Sequence, residues 1–277
     1  MFVISSCEYL KSFGLGWQEF PARVKYAWML LASVFWLWID FEGKDGYSLK
    51  KPVMVVAVST SMPQYRALYS QARELGDYML RKMKFEKFGT VRSSAFPPEV
   101  MVRGDGLCTL PECSFFLSRG RHDLVLFAGD TSPMDEQYEF AQSLLGRARE
   151  MGVEELYSIG ARWAENPAPP EAEPEASGFA TDSAGVAKLK KHGVRILGEE
   201  PAPFFASMVV AMAKGHGIRG YKLSVDHGEP SPHVRSVRTL LGVLSAMAGF
   251  EVDLAELRSK APPTTAARPL GNSTIYH

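Results

Sequence analysis

Residues that could do chemistry are few in this sequence and widely spaced. Cys108 and Cys113 are separated by four residues (CTLPEC), and His227 and His233 lie six apart around a Gly-Glu-Pro-Ser-Pro turn. Either pair could begin a metal site, but a closed zinc site takes four ligands and no second Cys/His pair at metal spacing joins them. The expectation is therefore no metal. No G-x-G-x-x-G follows the first strand, and neither G-x-x-x-x-G-K-[ST] nor G-x-S-x-G occurs, so no dinucleotide, P-loop nucleotide or hydrolase elbow is signalled and no cofactor is expected. Two turns remain. Gly129-Asp130-Thr131-Ser132 sits between a strand's carboxyl end and a helix start, where open α/β sheets bind ligands and free N–H groups favour anions. Asp130 would repel an anion there, and Asp, Thr and Ser are also ordinary cap residues. Asp226 and His227 end another strand and are candidate acid–base groups, the alternative being plain turn chemistry before Gly228.

The composition sets the frame for these residues. In 277 residues, 31 Lys and Arg balance 31 Asp and Glu, and apolar residues make up 46%. That much apolar surface suffices for an ordered core. A neutral balance argues against a dedicated nucleic-acid binder, which carries a basic face. Three cysteines, Cys7, Cys108 and Cys113, form no disulfide framework, so a reducing, cytoplasmic setting is expected.

The elements that must position the turns begin at Pro52. Val53 to Val58 (VMVVAV) is the valine-rich run of a strand buried on both faces. The turn Ser59-Thr60-Ser61-Met62-Pro63 follows, then a helix to about Met83 with Leu68, Ala72, Leu75 and Met79 on one face. Asp123 to Ala128 (DLVLFA) is a second buried strand. Ser132 then reads as an N-cap, with Pro133 at the first helical position and Asp135 closing a capping box. The buried stripe of that helix is Tyr138, Ala141, Leu144, Leu145, Ala148 and Met151, with Gly152 as its stop. Glu155 to Ile159, Val194 to Leu197 and Gly220 to Val225 read as further strands, and 204–214 as a helix apolar nearly all round. A last strong helix runs from about Pro232 to Ala248, capped by Ser231 and stopped by Gly249. Its buried face is Val234, Val237, Leu240, Leu241, Leu244 and Met247. Val252 to Leu257 adds a short terminal helix. Strands alternating with helices predict a three-layer α/β domain over 51–260 with a mostly parallel sheet.

Three stretches stand outside that order. Tyr26 to Ile39 (YAWMLLASVFWLWI) is 14 residues long, too short for a bilayer span of about 20 residues, and no small-residue cleavage site follows it. Residues 1–50 are accordingly read as a peripheral extension, with membrane contact open only through 26–39. Residues 164–183 carry four prolines and five acids with no base, an acidic loop inside the domain. Residues 261–277 are rich in Pro, Thr and Ala and read as an extended, flexible tail.

With the strands placed, Lys51 to Leu257 resembles the PAC2 family, which includes proteasome assembly chaperone 2 and its archaeal and bacterial relatives. The likeness rests on a succession: VMVVAV and the helix ending ARELGDYMLRKM, then HDLVLFAGDTSPMDEQYEFAQSLLGRAREMGVEELYSIGA, the Pro-rich insertion, and last FFASMVVAMAKGHGIRGYKLSVDHGEPSPHVRSVRTLLGVLSAMAGFEVDLAEL. The resemblance implies a fold of the nucleoside phosphorylase and nucleosidase type, homo-oligomers, and a non-enzymatic role in proteasome assembly. Many relatives carry a Gly-rich turn after the first strand, where this chain has Ser59 and Thr60.

In that family context Ile275-Tyr276-His277 matches the hydrophobic–Tyr–any ending that proteasome activators insert between α-subunits. The aliphatic side chain fills an apolar slot, the ring packs while its hydroxyl is bonded, and the carboxylate meets a pocket cation. A tail of this length has a reach of ~20 Å by flexible-chain scaling. Two readings are therefore carried forward. One is a cytoplasmic, homo-oligomeric proteasome-docking or assembly protein that binds through Ile275, Tyr276 and His277. The other is a nucleoside-like ligand binder or enzyme using the strand-end turns at Ser59, Thr60, Asp130, Thr131 and Asp226.

Overall fold

The computed structural model describes residues 38–43, 48–58, 66–102, 104–129, 131–163, 173–199, 201–202, 204–227 and 233–259. In chain order the elements are β1 (Ile39–Gly43), β2 (Val53–Val58), α1 (Arg66–Lys82), β3 (Glu86–Ser93), β4 (Met101–Val102), β5 (Cys108–Thr109) and β6 (Cys113–Ser118). There follow β7 (Leu124–Gly129), α2 (Gln137–Glu150), β8 (Glu155–Trp163), β9 (Ala176–Ala180), α3 (Ser183–Lys191), β10 (Arg195–Ile196) and α4 (Phe205–Ala213). A 3-10 turn over Lys214–His216 leads to β11 (Arg219–His227), α5 (His233–Ala248) and α6 (Ala255–Ser259).

Nine strands form one sheet in the order β1-β3-β6-β7-β2-β8-β11-β9-β10, and β4 and β5 form a separate two-stranded ribbon. β7, β2, β8 and β11 run parallel at the centre. The flanks are antiparallel at β1–β3, β3–β6, β6–β7 and β9–β11. The outermost pair β9–β10 is parallel again, so the mostly parallel expectation holds for the centre and that edge, and half of this sheet's pairings are antiparallel. β3 and β6 carry no long valine run and pair antiparallel across nineteen intervening residues, so their pattern does not announce them in the sequence. β1 brings residues 39–43, assigned from sequence to a peripheral extension, onto the sheet's edge, with Ile39 opposite Ser93 and Gly43 opposite Gly89. β9 lies within the stretch read as an acidic loop and pairs with β11.

The alternation of a strand puts successive side chains on opposite faces, and β2 shows it cleanly. Met54 and Val56 join one buried cluster with α2 and α4, while Val55 and Ala57 join a second with α1 and α5. Both clusters are nearly dry, which is why β2 contains no polar residue at all. Helices thus cover both faces of the central strands. α5 buries Val237, Leu240, Leu241, Leu244 and Met247 as its spacing predicts, and Gly249 ends it at φ 72° with its N–H on the Ser245 carbonyl. Gly152 stops α2 in the same way at φ 77°.

α2 departs from expectation at its start. It begins at Gln137 rather than Pro133, and Glu136 sits before it at φ 47° with no side-chain cap. The backbone N–H groups of Met134 and Asp135 instead donate to the Ala95 carbonyl at 2.8 and 3.4 Å. A tertiary acceptor has taken the donors that a capping box would have used. Tyr138, placed on the buried stripe from sequence, is 67% exposed, and Phe140 occupies the core in its stead at 1%.

Asp123 clasps the start of the sheet. Its carboxylate accepts from the Lys50 N–H at 2.9 Å and from Arg119 at 2.7 Å. Its backbone N–H bonds the Lys50 carbonyl, and its carbonyl accepts from Val53. The side chain is nearly buried, so these bonds offset the cost of removing a carboxylate from water.

Candidate functional site

The carboxyl ends of the four parallel strands point to one edge, and the described candidates Thr131 and Asp226 lie at the ends of β7 and β11. Ser59, Thr60 and Asp130 lie outside the described residues, as do Ile275, Tyr276 and His277. Thr131 is described: it is 2% exposed, its hydroxyl has no hydrogen-bond partner, and its carbonyl accepts from the Cys113 thiol at 3.4 Å. Gly129 explains how β6 comes so near, because a Cβ added there would meet Cys113 Sγ at 2.6 Å and Cys113 Cα at 2.8 Å. Cys108 is exposed on β5 and Cys113 is buried, so the two cysteines face different surroundings.

Asp226 is engaged on both oxygens. Arg162, its register partner on β8, donates to Oδ1 at 2.8 Å, and Arg195 of β10 donates to Oδ2 at 2.7 Å. Arg195 also bonds Glu175 at 3.1 Å. The carboxylate therefore ties β11 to β8 and β10, and the geometry gives it a bridging role between strands. The His227 side chain lies outside the described residues.

One buried group escaped the sequence reading. Lys222, on β11, is 4% exposed and has no carboxylate partner among the described residues; its ammonium donates to the Leu223 carbonyl at 3.3 Å. Burial lowers its pKa to about 7. It lies beside Gly160, where an added Cβ would displace the end of the lysine side chain. Ser158, its register partner, is fully buried and its hydroxyl is unpartnered. The signal in the sequence was a lysine between Tyr221 and Leu223, both fully buried, near the middle of the strand.

At the opposite, amino-terminal edge of the parallel strands a cleft of about 770 Å³ is lined by Lys51, Glu154, Glu155, Asp182, Lys214 and Arg219 among others. Beneath it Tyr157 and Tyr221 stack at 4.6 Å and 10°. Glu155 accepts from both hydroxyls, at 2.8 and 3.1 Å, and from Lys188 at 2.7 Å. Lys188 also stands 5.6 and 5.2 Å from the two ring centroids, a cation–π contact with each. Burial works to raise the Glu155 carboxyl, but the Lys188 and tyrosine hydrogen bonds outweigh it and hold the pKa below the usual value. Burial, reinforced by the Glu155 charge, pushes both tyrosine hydroxyls well above theirs. Asp182 caps α3 by accepting from the Gly185 N–H and bonds Arg219 at 3.0 Å. Glu155, Asp182 and Arg219 are thus bonded within this edge or to Lys188.

Among the described residues no group of three or more His, Cys, Asp or Glu could hold a metal ion, and no helix is long and apolar enough to cross a membrane.

The sequence profile of the PAC2 family matches residues 72–266. Among curated proteins, none matches the chain. The fold is similar to that of PbaB of Pyrococcus furiosus, an archaeal proteasome activator, at TM-score 0.68 and 16% identity over 79% of this chain and 93% of that one. It is also similar to PbaA of the same organism, an archaeal homologue of proteasome-assembly chaperone, at TM-score 0.62 and 17% identity over 80% and 91%. A proteasome-assembly chaperone homologue of Mycobacterium tuberculosis aligns at TM-score 0.62 and 18% identity over 75% and 90%. At such identities the likeness is one of fold.

Proposed function

The chain belongs to the PAC2 family, and from that premise we propose that it is a non-enzymatic protein that assists assembly of a proteasome ring or docks on one. The observation that carries the reading is the fold-long likeness to a proteasome activator and to two assembly-chaperone homologues, which spans nine-tenths or more of each of those chains. In this reading the body is a cytoplasmic homo-oligomer, and Ile275, Tyr276 and His277 enter pockets between α-subunits. Several tails on one oligomer add avidity without new contacts. Deleting residues 275–277 tests the docking step: co-purification with an α-ring is expected to be lost, and unchanged binding would refute it.

The fold expectation of a phosphorylase or nucleosidase type supports a second reading, a nucleoside-like ligand at the carboxyl edge. The observation in its favour is the buried, unpartnered Thr131 hydroxyl just past the end of β7; in this reading Ser59, Thr60, Asp130 and Asp226 complete the site. A thermal-shift screen with nucleosides and nucleotides separates the two, because a ligand that binds only the folded state raises the melting temperature.

A further inference from the structure

Two buried polar groups that lack full partners share one face of β8 and β11, under α4. Alternation along the strands puts Ser158 and Gly160 of β8 on the same side as Lys222 and Ser224 of β11, and the register pairs them two by two. Leu156, two residues before Ser158, joins the cluster that holds Val209 and Val210 of α4, which identifies the covering helix. Ser224 is satisfied by Ser177 of β9, through hydroxyls 3.2 Å apart. Ser158 and Lys222 are not. The Ser158 hydroxyl bonds nothing, and the Lys222 ammonium reaches only the next residue's carbonyl. A Cβ placed on Gly160 would touch Lys222 Nζ and stand 3.5 Å from the Ala206 Cβ. The ammonium, the bare backbone of β8 and the first turn of α4 therefore meet at one place. α4 begins there without a side-chain cap, and the first turn of a helix presents open N–H groups and the positive end of its dipole.

Donors thus converge, and no negative charge among the described residues answers them. The residues packed around Nζ are uncharged: Ser158 and Gly160 from β8, Phe179 opposite it on β9, and Ala206 from α4. The next charges on this face are Arg162 and Asp226, four residues further along the two strands and bonded to each other. A buried ammonium without a counter-charge is costly. An ammonium and helix N–H groups donate and cannot accept, so the cradle selects an anion over a cation. Ser158 and Lys222 lie on neighbouring strands without bonding each other, and a single acceptor between them takes a hydrogen bond from each. With a glycine, an alanine and a phenylalanine close around it, the acceptor is a small ion.

We propose that this cradle binds a halide ion, chloride under physiological conditions, between Lys222, Ser158 and the first turn of α4. The ion ties α4 to β8 and β11 and holds the lysine in its charged form. The site uses neither residues 275–277 nor the turns at Ser59, Asp130 and Thr131, so it is independent of both readings above.

Thermal melts of the full chain at pH 7 in sodium chloride and in sodium gluconate of equal ionic strength test it, gluconate being too large to enter. The wild type is expected to melt about 2–4 °C higher in chloride, Lys222→Met to show no difference, and Ser158→Ala to show a smaller one. An ion that keeps the ammonium charged also flattens any rise of stability with pH between 7 and 9, so that rise is expected to be steeper in gluconate. Crystals grown in bromide are expected to show an anomalous peak within hydrogen-bonding distance of Lys222 Nζ and Ser158 Oγ. Equal melting of the wild type in the two salts, or a chloride gain of the same size in Lys222→Met, overturns the site. A bromide found only elsewhere, an adventitious ion only, overturns it too. Should Lys222→Met fail to melt cooperatively, the bromide peak in the wild type decides alone.

Discussion

Lys222 and Ser158 face each other across β11 and β8 as register partners, both buried, the ammonium bonded to a single carbonyl and the hydroxyl to nothing. A charge with so little compensation costs stability in proportion to how far its proton affinity is depressed.

The pH dependence follows from that position. Burial lowers the Lys222 pKa from 10.5 to about 7, so between those values the unfolded chain holds a proton the native state has released. Stability therefore rises with pH from about 7 upward, by up to about 1.4 kcal/mol per unit. The two raised tyrosines act in the opposite sense only above about pH 10, where unfolded tyrosine ionises. Urea unfolding at pH 7, 8 and 9 is expected to show the rise in the wild type and its loss in Lys222→Met, with the variant more stable at pH 7.

Glu155 carries the opposite sign. Its folded pKa is held below the ordinary 4.5, so its contribution is present above that value and lost as pH falls through the folded one. Glu155→Ala removes the carboxylate shared by Lys188 and the two tyrosine hydroxyls, leaving Tyr157 the Met247 carbonyl and Lys188 the Tyr157 oxygen, and is expected to cost about 1–3 kcal/mol at pH 7. Glu155→Gln is expected to flatten the acid limb of the stability curve. Thermal melts between pH 3 and 7 read both effects.

Gly129→Ala is expected to destabilise by about 1–3 kcal/mol through overpacking. The added methyl would meet Cys113 Sγ, Cys113 Cα and the Glu112 carbonyl at 2.6–2.8 Å. Two of these are backbone atoms, so adding Cys113→Ala is expected to recover only a minor part of the loss in urea midpoints.

Asp226→Asn tests the bridging role of that carboxylate. Its two arginines are partly exposed, so the loss is expected to be about 1 kcal/mol in urea unfolding. A strand-end ligand that uses Asp226 predicts instead a lost thermal shift with that ligand.

Much of the central architecture was legible in the sequence because its physical signals are local. β2 and β7 are buried on both faces and so read as unbroken apolar runs, while α5 announces itself by period and by Gly249. Elements whose identity depends on a distant partner were not legible. The start of α2 is set by the Ala95 carbonyl, about forty residues upstream, and β9 is an Ala-Ser-Gly-Phe-Ala segment whose strand character comes from lying beside β11. The same holds at the site. Asp226 could be picked out as a strand-end acid, but its arginines come from positions 64 and 31 residues away, and that separation hid its engagement. Lys222 was visible as an oddity of composition, yet only the register with Ser158 and Gly160 shows what surrounds it.

The clasp at Asp123 has a mechanical consequence. Tension applied to the residues ahead of 38 meets the β1–β3 ladder first and then the Lys50–Asp123 bonds. A leading segment anchored to some larger body would therefore peel an outer ribbon of the sheet while β2 and β7, held behind the clasp, kept their shape.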